Sequence, residues 1–215
     1  MPDSAATMGS ARTPPGLVLL LASASPRRRQ LLTELGVAIR VEASAVTEWE
    51  HPDADPEALV THNAQKKARA MAEKYPDIPV LGADTTVALD GEVLNKPADL
   101  VEARQMLGKL SDREHTVFTA VSLIWRDRGL EDTRCITSRV RFHELDADTI
   151  TRYFEIVNPL DKAGAYGIQE GRELIIHSWQ GSLTNIMGLP IEVVTDMLAP
   201  LGLIAKHSAA STDES

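Results

Sequence analysis

The stretch LLASASPRRRQLL, Leu20 to Leu32, decides how the N-terminal part of the chain folds. It follows from an uninterrupted apolar run, GLVLLLA from Gly16 to Ala22. Such a run is short and apolar at every position, the pattern of a strand buried on both faces. Ser25 followed by Pro26 is a helix start: a serine hydroxyl caps free amides, and proline is tolerated where no intrahelical N–H is needed. The reading is therefore strand, tight loop, helix. The helix carries Leu31, Leu32 and Leu35 on one face between Arg28 and Leu35, and Gly36 supplies its stop. Arg27, Arg28 and Arg29 stand at the end where the helix dipole is already positive, so they repel one another unless an anion sits among them. Phosphate suits that geometry. The alternative is a solvated basic first turn without a ligand, since the stretch matches no glycine-rich phosphate loop.

The 215 residues are 43% hydrophobic and 25% charged, ordinary for a chain that buries one sizeable core. A net charge of -9 excludes a broad nucleic-acid footprint and confines any polyanion site to a local basic pocket. The single cysteine, Cys135, excludes an internal disulfide framework and is consistent with a reducing compartment, so a cytoplasmic location is expected. The apolar run after Arg12 also resembles a short secretory leader, ending in Ala22-Ser23-Ala24, but Pro14, Pro15 and Asp3 count against it. No segment approaches a membrane span. Residues 1–16 and 205–215 are small, polar and Pro- or Ser-rich and are expected to be disordered tails around one bilobed domain, 17–204.

Beyond Gly36, VAIRVEAS (37–44) alternates like a strand, AVTEWEHPDADP is a polar loop, and a helix is predicted from Pro56 to Tyr75 with Lys66 and Lys67 near its middle. IPVLGADTTVALDGEVLNKP (78–97) is a hairpin turning at Asp90-Gly91. A third helix is expected over Asp99 to Leu110. HTVFTAVSLIW (115–125) and CITSRVRFHEL (135–145) read as antiparallel strands joined by the polar RDRGLEDTR. DADTITRYFEI returns to helix, ELIIHSWQGS is strand-like, and LPIEVVTDML closes the fold as a helix with Pro190 in its first turn. Helices and strands alternate and strands then cluster, which gives a mixed-sheet α/β protein.

Asp84 lies in a strand between Ala83 and Thr85, where a buried carboxylate needs a partner. It is a candidate metal ligand or base for water, or a strand aspartate bonded to backbone. A two-residue turn at Asp90-Gly91 sets Thr85 opposite Lys96, beside Asp84. Strict alternation would then send Asp84 and Lys96 to opposite faces, unless a bulge re-aims one or Pro97 ends the pairing. In NPLDKAGAYGIQEG (158–171), Gly164 and Gly167 permit close backbone approach and Gln169 offers the complement of a nucleobase edge, or the segment is a structural loop. Ser182, Thr184 and Asn185 precede a helix and read as a cap. The six histidines show no zinc-ligand spacing, which leaves a hard cation on Asp or Glu oxygens and substrate phosphates.

Five blocks in order, LASASPRRRQLL, GADTTVALDGEVLNKP, REHTVFTAV, DKAGAYGIQ and GSLTNIMGLP, resemble the Maf family of nucleoside triphosphate pyrophosphatases, over about Leu19 to Leu198. The resemblance implies an elongated mixed α/β fold, a sheet flanked by helices with a cleft between two lobes, similar to the inosine triphosphatases, and a homodimer. It implies hydrolysis between the α and β phosphates with Mg2+ or Mn2+. Carried over, Ser23, Arg27 and Arg28 match the phosphate loop, Glu48 and Asp84 the acidic pair that holds the metal, and Lys67, Lys96 and Lys162 the basic groups. Asp84, Lys96 and Glu48 are then the catalytic set; Ser23, Arg27, Arg28, Lys67, Lys162 and Gln169 bind substrate. AGAYGIQ is the wording of the branch that prefers dTTP and UTP, with Gln169 at the associated position. The alternatives are the branch acting on 7-methyl-GTP, or a nucleotide-binding regulator of cell division with little turnover. The chain departs from the family pattern at Thr47, Asn95 and Asp112, where the family often has Asp, Gly and Gly. Thr47 removes one negative charge near the expected metal.

Overall fold

A computed structural model describes residues 16–51 and 53–204. The expected tails lie outside the described residues except for Gly16. The opening apolar run forms β1 (Leu19–Leu21), buried on both sides, and the Ser25-capped helix after it is α1 (Pro26–Glu34), closed by Leu35 and by Gly36 at φ +77°. Then come β2 (Ile39–Val41), α2 (Pro56–Lys74), β3 (Val80–Leu89), β4 (Glu92–Leu94), α3 (Leu100–Leu110), β5 (Glu114–Trp125) and β6 (Leu130–Phe142). The chain ends in α4 (Ala147–Ile156), α5 (Arg172–Ile175), β7 (Ile176–Gln180), α6 (Leu183–Ile186) and α7 (Ile191–Leu198). Helix starts follow capping chemistry: Asp55, Asp99, Asp146 and Ser182 each accept a first-turn N–H.

The seven strands make one mixed sheet in the order β2-β1-β3-β5-β6-β7, with β4 pairing β3. Only β2-β1 and β1-β3 are parallel. Alternation along β3 sorts the core. Leu81 and Ala83 face one apolar cluster with α1 and α7, whereas Val80 faces another with α2. The far half of β3 contributes Val87 and Leu89 to a third cluster with α3 and α4. Among the described residues no helix is long and apolar enough to cross a membrane.

Three expectations change in the structure. The polar run after Trp125 is not a nine-residue loop: Arg126–Arg128 make one 3-10 turn, Gly129 adopts φ +61°, and β6 starts at Leu130 rather than Cys135. Its residues are polar because neither face of that half is deeply covered; Thr133, for example, bonds Ser122 across the pair at 2.9 Å. The first three residues of the strand-like ELIIHSWQGS, Glu173 to Ile175, belong to a helical turn entered through Gly171 at φ +62°, and the strand that pairs with β6 is Ile176–Gln180. VAIRVEAS yields just three strand residues, because its partner β1 is itself three residues long.

Candidate functional site

β3 is the spine of the site because its outer edge changes partner halfway. Up to Leu81 it pairs β1, from Val87 it pairs β4, and along 82–86 that edge carries no strand. The chain leaves β1 through Ser23 and leaves β4 through Asn95 and Lys96, so two loops diverge over the gap. Divergence of strands at one sheet edge creates a crevice for ligands, and here a cleft of about 390 Å³ opens there. Pairing stops at Val87–Leu94 without a bulge, and that frees Lys96 to turn into the same cleft as Asp84. The register expected from the Asp90-Gly91 turn is the one observed, with both turn residues at positive φ, 52° and 88°.

Asp84 points from the bare stretch of β3 toward α2 and is 7% exposed. Lys67 Nζ donates to its Oδ1 at 2.8 Å and Asn63 Nδ2 to its Oδ2 at 3.1 Å. The same Lys67 ammonium lies 3.0 Å from Glu48 Oε1, so one buried cation bridges the two carboxylates. Burial alone would raise the Glu48 carboxyl, but Lys67, Lys96 and Arg28 together hold it below the usual range. α2 comes this close because Gly82 has no side chain: a Cβ there would lie 2.4 Å from the Ala64 carbonyl oxygen.

On the opposite wall Ser25 Oγ accepts from Arg28 N at 3.4 Å, and the Arg28 side chain reaches inward. Its Nη1 donates to Ala83 O at 3.0 Å and Ser23 Oγ at 3.2 Å, its Nη2 to Thr85 Oγ1 at 3.0 Å, and its Nε to Gly188 O at 2.8 Å. Ala83 O belongs to the bare edge of β3, so a guanidinium satisfies a carbonyl that no strand covers. Crowding by protein lowers the Arg28 pKa against the pull of Asp84 and Glu48. Arg27 points elsewhere, to Asp161 at 3.3 Å, and Asp161 also accepts from Lys162 at 2.6 Å. Of the three arginines, Arg27 is the one that Asp161 supplies with an anion from the chain itself. Arg29 is exposed.

All nine residues singled out from sequence, Ser23, Arg27, Arg28, Glu48, Lys67, Asp84, Lys96, Lys162 and Gln169, line this one cleft. Five lining cations, Arg27, Arg28, Lys67, Lys96 and Lys162, face four carboxylates, Glu48, Glu50, Asp84 and Asp161, so the cleft is locally positive in a chain of net charge -9. Val87, Val117, Ile168, Ile186 and Met187 form an apolar part beside the charges. Of the departures, Asn95 lines the cleft but Thr47 and Asp112 do not. Thr47 turns its carbonyl to Lys66 at 2.8 Å, and Asp112 adopts φ +53°, the left-handed conformation that glycine takes freely and aspartate tolerates.

Sequence reasoning passed over Asn63, which carries no motif signal in mid-helix, and the pairing of His115 with Tyr166. Tyr166 lines the cleft and its hydroxyl meets His115 Nε2 at 2.7 Å inside an aromatic cluster with Phe142. Asn185, read as a cap, is instead fully buried and bonds Val117 O and Ser138 Oγ. Burial pushes the His115 imidazole down to about 3. Below pH ~6.5 the unfolded chain takes up a proton that folded His115 refuses, so stability falls as pH drops from there toward 3. Between pH 7 and 5 the loss is about 2 kcal/mol, or roughly 4–8 °C in melting temperature. His115→Gln should flatten that slope in a thermal-melting series; an unchanged slope would show that His115 does not set it.

The sequence profile of the family described as Maf-like protein matches residues 18–201. The chain belongs to the Maf family. Relatives of this Maf protein include the dTTP/UTP pyrophosphatase of Syntrophus aciditrophicus, 41% identical over 91% of this chain and 98% of that one. Another, the dTTP/UTP pyrophosphatase of Symbiobacterium thermophilum, is 45% identical over 86% and 94%. A solved HAM1 structure from Coxiella burnetii overlays on 59% of this Maf chain and 73% of its own with a TM-score of 0.44 at 18% identity.

The donor set of this Maf cleft fits a hard divalent cation: magnesium takes one or two carboxylates and completes its shell with phosphate oxygens and water. Glu48 and Asp84 present two carboxylates on one ammonium, inside a cleft lined by further cations. Among the described residues there is no cluster of three or more His, Cys, Asp or Glu that could hold a metal ion.

Proposed function

We propose that this Maf protein is a nucleoside triphosphate pyrophosphatase acting on dTTP and UTP: water adds at the α phosphate, the α-β anhydride bond breaks, and monophosphate and pyrophosphate leave. The observation that carries the reading is the convergence of five cations on one cleft around a buried, doubly held Asp84. Phosphoanhydride cleavage needs charge neutralisation and an in-line water, with little covalent work from the protein.

Arg27 and Lys162 exchange the Asp161 carboxylate for phosphate oxygens, and Lys96, which has no hydrogen bond or ion pair among the described residues, takes phosphate directly. Arg28 keeps the phosphate loop of Ser23 to Ser25 seated against β3. The nucleobase lies toward Tyr166, Ile168 and Gln169, whose amide pairs with a pyrimidine edge. Asp84 accepts the proton of the attacking water. Glu48 and Asp84 would hold Mg2+ or Mn2+, which when bound lowers the pKa of water and offsets the developing charge. The same reading carries a cytoplasmic homodimer in which residues 17–204 act as one bilobed unit.

The test is pyrophosphate release from a panel of triphosphates with Mg2+, with monophosphate measured alongside. Equal release of both from dTTP or UTP is expected. Preference for 7-methyl-GTP would move the protein to the other branch, and no release from any triphosphate would favour a nucleotide-binding regulator.

A further inference from the structure

We infer that Asn63 is a positioning residue for this reaction, tying the loop that carries Glu48 to the Asp84 carboxylate; the inference rests on the roles proposed above for those two acids. Asn63 sits in the interior of α2, where asparagine is a poor helix former, and it is 2% exposed. Both of its amide protons and one Oδ1 lone pair are used. Oδ1 accepts from Trp49 N at 2.7 Å, and Nδ2 donates to Trp49 O at 3.0 Å and to Asp84 Oδ2 at 3.1 Å. The amide orientation is fixed by its partners, since Trp49 N–H needs an acceptor while Trp49 O and the Asp84 carboxylate need donors.

Residues 42–51, between β2 and α2, form no helix or strand, yet Glu48 is held from both sides and at its tip by one face of α2. Lys66 donates to Thr47 O at 2.8 Å, Asn63 brackets the Trp49 peptide, and Lys67 meets the Glu48 carboxylate at 3.0 Å. Positions 63, 66 and 67 are the i, i+3, i+4 neighbours of a helix face. Only Asn63 and Lys67 also reach Asp84. Lys67 is a cation, and an entering triphosphate competes for it; Asn63 is neutral, and its three bonds survive that change of charge. The spacing of the acid loop from Asp84 therefore rests on the amide.

The test compares wild-type protein with Asn63→Leu, which fills the space but strands the Trp49 peptide, and Asn63→Ser, smaller and polar, in case the first fails to fold. Hydrogen exchange over residues 47–50 is expected to quicken about tenfold or more in both while the rest of α2 keeps its protection. In pyrophosphate release, kcat is expected to fall by roughly 10–100-fold, as for other groups that orient metal-ligating side chains, with KM within about threefold. Unchanged exchange at the loop, or faster exchange with kcat intact, overturns the inference; a purely structural role would lower the melting temperature without that split. If the wild-type chain releases no pyrophosphate, the proposed reaction fails, while the exchange arm still decides whether Asn63 holds the loop.

Discussion

Asp84→Asn is expected to bind dTTP about as tightly as the wild-type chain and to release pyrophosphate roughly 100- to 10,000-fold more slowly, the range that a lost general base removes. The substitution conserves volume, so the packing of β3 against α2 survives. Its Oδ1 can still accept from Lys67, which also keeps Glu48 as a partner at 3.0 Å. What disappears is the capacity to accept a proton, together with one of the two carboxylates facing the phosphates. The new Nδ2 would confront the Asn63 amide, a donor already 3.1 Å away, and that contact must loosen. Binding by calorimetry and turnover by pyrophosphate release, both with saturating Mg2+, separate the two effects. Wild-type turnover in this variant would take Asp84 out of the chemistry and leave it as a structural partner of Lys67.

The first third of the fold was legible because its signals are local. Apolar residues at every position of GLVLLLA imply a strand covered on both faces, and Leu19, Leu20 and Leu21 are all fully buried. Ser25-Pro26 states where α1 begins without reference to anything distant. The Asp90-Gly91 turn sets the β3-β4 register by its own geometry, and with it the neighbourhood of Lys96 and Asp84. The start of β6 was not legible in the same way, because polar residues on an open strand look like a loop until the long β5 beside them is known.

The candidate site divides along the same line. The nine charged and polar candidates could be named from sequence, seven of them within motif blocks and Glu48 and Lys67 outside them, and all nine line the cleft. Their partners could not. Arg28 is spent on Ala83, Thr85 and Gly188, residues 55, 57 and 160 positions away. The bond from Asn63 to Asp84 spans 21 positions and has no periodic signature. Sequence names the charged groups a site needs; which neutral groups hold them depends on how closely one helix seats on the sheet.

That seating is testable at Gly82. An alanine Cβ there would stand 2.4 Å from Ala64 O and 2.8 Å from Ala68 N, both backbone atoms that no rotamer change can move aside. α2 must therefore shift away from β3, and overpacking of this kind costs about 1–3 kcal/mol. For a chain of this size that is a drop of roughly 2–12 °C in melting temperature. Turnover should suffer more than stability. Asn63 and Lys67 adjoin the two clashing residues, so any displacement of the helix pulls both donors off Asp84, and a misplacement of about 1 Å can cost on the order of 100-fold in rate. Ala68→Gly should not rescue the variant, since the nearest clash is with the Ala64 carbonyl. Gly108→Ala in α3 is the control: nothing lies within 4 Å of its Cβ, and replacing a helical glycine there should stabilise by up to about 1 kcal/mol with turnover unchanged. If Gly82→Ala instead melts and turns over like the wild type, the close approach of α2 to β3 is not what holds Asp84 in place.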